Sequence, residues 1–141
     1  MAKKGYQQKL EFNQVNEANN LYLMQVARQG VNFESFLALI NRIPFSMPDW
    51  SRFLHLTDRT MQRYKKDMKS FDTIQSEKIL QITLLYKKGI DVFGDKTKFD
   101  TWLVSKNIAL GNINPKELLD NAFGINLLND ELTRIEHGIL A

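Results

Sequence analysis

The spacing of its apolar residues constrains this chain most. They recur at steps of three and four, and no stretch alternates apolar with polar residues as a half-buried strand would. Met61, Tyr64, Met68 and Phe71 form one such stripe, and Ile79, Ile82, Leu85 and Tyr86 fall on another. Ile125, Leu128, Leu132, Ile135 and Ile139 form a third. A stripe of this kind is one face of a helix, buried on a neighbour while the other faces stay polar. The pattern predicts an all-α fold of about eight helices.

Capping residues divide the stripes. A first helix is expected over 17–29 with Ala18, Leu21, Tyr22, Val26 and Ala27, closed by Gly30. Asn32 opens a second, carrying Phe33, Phe36, Leu37, Ile40 and Ile43, and Pro44 ends it. Ser46, with Asp49 three residues on, makes a capping-box pattern for a short third helix over 46–54. Thr57 is a fresh N-cap, and Asp58 suits the positive start of a fourth helix over 58–69. Asp72 and Gln75 open a long helix that should run to about Lys88 and close at Gly89 and the Val92-Phe93-Gly94 turn. Asp95 starts a helix with Phe99, Trp102 and Leu103. Asn114-Pro115-Lys116-Glu117 starts another that ends near Asn121, and the last spans 124–138. Phe93, Phe99, Trp102 and Phe123 read as core. Residues 1–16 are polar and are expected to be a flexible tail.

Composition removes several functions. The 141 residues contain no cysteine, which excludes disulfides, thiolate zinc sites and a cysteine nucleophile. The length suits one compact domain, or two small ones sharing a core. The longest apolar run, Phe36 to Ile40, falls far short of the roughly 20 residues a membrane span needs, so no membrane partner is expected. Lys3 and Lys4 have no apolar stretch behind them, so no signal peptide is read and a cytoplasmic location is expected. His55 and His137 lie far apart, and neither has a second histidine three or four residues away to make a metal pair. Both are read as structural or capping, and no metal site is predicted. No phosphate-binding glycine loop is present and no cofactor is expected. Asp91 and Asp95 flank a turn and read as caps. The chain is not predicted to be an enzyme.

The net charge of +3 conceals an asymmetry. Residues 1–70 hold eleven Lys and Arg against six Asp and Glu, a balance of +5, whereas residues 71–141 hold eight against ten, a balance of −2. The basic excess concentrates at Arg59, Arg63, Lys65, Lys66 and Lys69. Such a run is ordinarily a solvated helix face. Here it lies on the second helix of a pair joined by the tight turn His55-Leu56-Thr57, the outline of a helix-turn-helix. Arg59, Gln62 and Arg63 fall in its first turns, where such helices meet base edges; arginine can pair with guanine and glutamine with adenine. Lys65, Lys66 and Lys69 would meet phosphates. Thr57 and Thr60 complete the candidate DNA-binding set within a domain at 17–70. One such unit reads few base pairs, so a homodimer is expected. In the second domain, 71–141, the last stripe can serve as core, as a dimer seam or as a partner surface. The apolar end Ile139-Leu140-Ala141 after Gly138 has to tuck into something.

Several ordered motifs then agree. Leu56-Thr57-Asp58-Arg59-Thr60-Met61-Gln62-Arg63 resembles the helix-turn-helix string of the antitoxins of RES–Xre toxin–antitoxin systems, also called Xre/ParS-like antitoxins. Val92-Phe93-Gly94-Asp95, Trp102-Leu103, Asn107-Ile108-Ala109-Leu110-Gly111 with Pro115-Lys116-Glu117-Leu118-Leu119, and Arg134-Ile135-Glu136-His137-Gly138 resemble that family's toxin-binding domain. The chain departs from the family pattern at Asn112, where a second glycine is common, and at Asn114, where a threonine is common. Both asparagines suit turns and caps. The resemblance implies a type II antitoxin that neutralises a RES-domain toxin, an enzyme that consumes NAD or transfers ADP-ribose, and that represses its own operon through operator DNA. It implies that the segment Arg134, Ile135, Glu136, His137, Gly138, Ile139, Leu140 and Ala141 reaches the toxin's active-site cleft. A stand-alone helix-turn-helix regulator without a toxin uses the same basic helix and is the alternative.

Overall fold

A computed structural model describes residues 9–138. Among these the fold is all-α: seven α-helices and four short 3₁₀ turns, with two isolated bridges (Asn32 with Ser70, Asn107 with Ile113) and no strand. In chain order the helices are α1 (Asn20–Gln29), α2 (Phe33–Ile40), α3 (Met47–Phe53), α4 (Asp58–Asp67), α5 (Thr73–Phe93), α6 (Lys96–Leu103) and α7 (Ala122–Glu136). The long α5 is the spine, with α1, α6 and α7 packed on it.

Two aromatic groups fill the interior. Phe36 meets Phe33, Trp50 and Phe71 at ring-centroid distances of 5.3, 5.5 and 4.9 Å. Phe99, from α6, meets Tyr86, Phe93 and Trp102 at 5.6, 5.5 and 5.7 Å. Buried residues from Leu10 to Leu132 belong to a single apolar cluster, so the core crosses the 70/71 boundary.

Tertiary packing changed several expectations. The expected tail is not free over residues 9–16: Leu10 and Val15 are buried, and the Leu10 N–H donates to Ser35 Oγ at 2.7 Å. Its backbone is tied to α2 through Ser35 and to α5 through Lys87, which outweighs the polar composition. The first helix begins at Asn20, after a 3₁₀ turn at Glu17–Asn19 that Asn16 caps. It rests on α5 through Leu23 and Ala27, leaving Leu21 and Tyr22 exposed. The fourth helix stops at Asp67 because Met68 turns left-handed, at φ +51°. That turn sends Met68 to solvent and brings Phe71 back into the core, where its N–H donates to the Val31 carbonyl at 2.9 Å.

Gly89 does not end α5. The helix continues to Phe93, and Gly94, at φ +73°, is the left-handed cap. Gly89 is instead a close-approach position: a Cβ there would fall inside the Phe99 ring. The helix expected at 114–121 is a 3₁₀ turn, Pro115–Leu118. Asn121 ends nothing; its side chain accepts the Gly124 N–H at 2.8 Å and starts α7. Phe123 is 88% exposed rather than core, because Ile125, Leu128 and Leu132 already define the inward face of α7.

Candidate nucleic-acid and partner interfaces

The helix-turn-helix is built from local capping. The Asp49 N–H donates to Ser46 Oγ at 3.1 Å and the Ser46 N–H donates to Asp49 Oδ2 at 3.0 Å, closing the capping box of α3. His55 reverses the chain at φ +59°, and the Leu56 N–H donates to the Ser51 carbonyl at 2.8 Å. Thr57 then caps α4, accepting the Thr60 N–H at 3.0 Å while its own hydroxyl donates to Thr60 Oγ1 at 2.9 Å.

Met61 anchors α4 in the core and Tyr64 is half-buried beside it. With about 100° of rotation per residue, Arg59, Gln62, Arg63 and Lys66 share the opposite, exposed face. No acid lies among them, since Asp58 and Asp67 sit on the flanks. The structure thus brings together four of the eight expected DNA-binding residues. Lys65 lies on a flank. Lys69 lies beyond the helix, its ammonium 5.1 Å above the Tyr64 ring. Thr57 and Thr60 commit their hydroxyls to the cap. The grouped face offers two guanidinium forks and an amide, the donor sets that suit guanine and adenine edges, with one ammonium beside them.

The expected toxin-binding segment begins on α7 and leaves it. Arg134 Nη2 lies 3.2 Å from Glu131 Oε1, a carboxylate that is itself buried. Ile135 is half-buried, whereas Glu136, His137 and Gly138 are exposed. Gly138 turns left-handed, at φ +67°, and its N–H donates to the Ile135 carbonyl. Ile139, Leu140 and Ala141 lie outside the described residues. Glu136 borders an open groove with Val15, Glu17, Lys87, Lys88 and Asp91. Lys87 ties the amino-terminal turn to α5, donating to the Phe12 and Val15 carbonyls at 2.9 and 2.6 Å. Burial draws the pKa of this ammonium below the ordinary lysine value, against an opposing pull from Asp91.

Contacts of the 116–120 segment tie it to the helix-turn-helix and to α5, and sequence spacing carried no signal for them. Lys116 pairs with Asp49 of the α3 capping box at 2.9 Å. The Asp120 carbonyl, one residue before the α7 cap, accepts His55 Nε2 at 2.7 Å and Lys78 Nζ at 2.8 Å. Partial burial opposes ionisation of Asp49. Its hydrogen bonds from Lys116 and the Ser46 N–H outweigh that, so its carboxyl titrates below the ordinary aspartate value. Among the described residues no group of three or more histidines and carboxylates is placed to hold a metal, and no helix is long and apolar enough to cross a membrane.

Residues 88–138 match the family described as the antitoxin Xre/MbcA/ParS C-terminal toxin-binding domain. The span runs from the last turns of α5 through α7. The chain is 29% identical to antitoxin Xre of Yersinia enterocolitica over 87 residues, 61% of this chain and 59% of the relative. It is 25% identical to antitoxin Xre of Photorhabdus laumondii over 121 residues, 85% of this chain and 82% of the relative. The match therefore spans less than two-thirds of the Yersinia protein and most of the Photorhabdus one. The chain is thus similar to Xre antitoxins, and its residues 88–138 to a toxin-binding domain.

Proposed function

We propose that this chain is the antitoxin of a type II toxin–antitoxin system and has no catalytic role. It binds a RES-domain toxin and masks that enzyme's active site with the segment 134–141, while α4 holds operator DNA to repress the operon. The similarity of residues 88–138 to a toxin-binding domain carries this reading. The acid-free face of Arg59, Gln62, Arg63 and Lys66 supports the operator half of it. Any turnover of NAD or transfer of ADP-ribose belongs to the partner; this chain acts by occupying space. Residues 17–70 hold the operator and residues 71–141 hold the toxin. A homodimer lets two recognition helices meet two half-sites about one DNA turn apart.

Two variants separate the activities. Arg59→Ala with Arg63→Ala should abolish operator binding, at about 1–3 kcal/mol for each guanidinium withdrawn from a base edge, and should still rescue toxin-expressing cells. Deleting residues 134–141 should leave a folded, operator-binding protein that no longer rescues. Retained operator affinity in the first variant removes the recognition-helix assignment, and full rescue by the second removes the masking segment. A stand-alone regulator would bind operator DNA but capture no product of the neighbouring gene on co-expression.

A further inference from the structure

We infer that the toxin docks along the outer face of α7, with Phe123 and Leu127 as its apolar anchors, so that contact starts well before the masking segment. This inference rests on the toxin-binding reading above. The inner face of α7 is spent on the fold, since Gly124, Ile125, Leu128 and Leu132 are buried against α5 and the Pro115–Leu118 turn. Phe123, Leu127, Asp130 and Arg134 follow one another at i, i+4, i+7 and i+11, and all four are exposed. That spacing is the one a helix shows when it lays one face into a partner's groove.

Phe123 is 88% exposed and Leu127 47% exposed. Neither supports the helix start, because the Asn121 side chain supplies the cap bond to Gly124. Within the span similar to a toxin-binding domain, the large apolar side chains left exposed among the described residues are Val104, Ile108, Phe123 and Leu127. Only the last two share a helix face. Burying an exposed aromatic at the centre of an interface is among the largest single gains a partner can offer.

Continuity selects the occupant. The stripe lies inside the toxin-binding span and runs directly into Arg134, where the masking segment begins. The Glu131 carboxylate holds that arginine at 3.2 Å. A toxin seated on Phe123 and Leu127 therefore lies in line to receive residues 134–138 without any rearrangement of α7.

The test measures calorimetric affinity of the full chain for the purified product of the neighbouring gene. It compares the unaltered chain, Phe123→Ala/Leu127→Ala, and Leu21→Ala on the exposed face of α1. Alanine favours helix at each position, so the fold should hold, and an unchanged melting curve checks it. The double variant is expected to bind about tenfold more weakly or worse, with operator binding and the Leu21 variant unaffected. A smaller loss, or an equal loss in the Leu21 variant, overturns the inference while the antitoxin reading stands. Loss of self-association with toxin affinity intact also overturns it, by making the face a contact between two copies. Failure of the unaltered chain to bind would remove the antitoxin reading itself.

Discussion

Gly89→Ala sets two effects of known size against each other. Gly89 lies inside α5, in ordinary helical conformation. Helix propensity alone makes alanine about 1 kcal/mol better there. The structure opposes it, because the new methyl would enter the Phe99 ring. That ring is fully buried, and Tyr86, Phe93 and Trp102 enclose it at centroid distances of 5.5 to 5.7 Å. With no open side to move toward, the ring can make room only by driving α6 away from α5. Overpacking of this kind costs about 3 kcal/mol at the upper end of its usual range. The net expectation is a destabilisation of about 2 kcal/mol, a fall of roughly 6–8 °C in Tm for a chain of this size. Thermal melting followed by circular dichroism measures it. Phe99→Leu in the same chain should recover part of the loss, with a coupling of about 1 kcal/mol in a double-mutant cycle. A Gly89→Ala protein as stable as its parent, or more so, would refute the reasoning: propensity would have won, and the close approach of α5 and α6 would not be fixed.

Thr57→Ala removes the acceptor of the Thr60 N–H and should cost about 1 kcal/mol of stability, read by urea denaturation. Operator affinity should weaken with it, since the frayed turn carries Arg59; a variant with full stability would mean the cap is redundant. Asp49 gives a pH signature. Its folded pKa lies below the ordinary 3.8, so its contribution is complete above that value and disappears as pH falls through the folded one. The stability gap between parent and Asp49→Asn should be widest near neutrality and should close below about pH 3.8. A gap that persists undiminished in acid would show that the Lys116 pairing does not depend on the carboxylate charge.

Capping is legible in the sequence because it is short-range chemistry. Asn32, Ser46, Thr57, Asp72 and Asp95 each accept a backbone N–H two or three residues ahead, and each reads as a helix start from sequence alone. The helix starts and the all-α class follow from such bonds and from the period of the stripes. What stays hidden depends on the neighbour a helix meets. The apolar residues of the first helix supply two possible faces, and α5 selects Leu23 and Ala27 over Leu21 and Tyr22. Gly89 has the composition of a stop signal, and only the approach of Phe99 gives it a different role. Phe123 is indistinguishable from a core aromatic until the inward face of α7 is known. The basic face of α4 is legible in outline, but the diversion of Lys69 to the Tyr64 ring requires the turn at Met68.

The contacts between the two halves decide which experiments can separate their functions. The segment 116–121 receives Asp49 from α3, His55 from the helix-turn-helix turn and Lys78 from α5. It also leads into α7, whose outer face is the proposed docking surface. A substitution inside this junction, or in the shared core on α5, should therefore disturb operator and toxin binding together. Loss of both would say nothing about where either ligand sits. Clean separation is expected only from side chains that are exposed and make no contact across the junction. Arg59 and Arg63 meet that condition on one side, and Phe123 and Leu127 meet it on the other. If substitutions at these exposed positions nevertheless moved both affinities, the two ligands would have to communicate through α5 or the 116–121 segment.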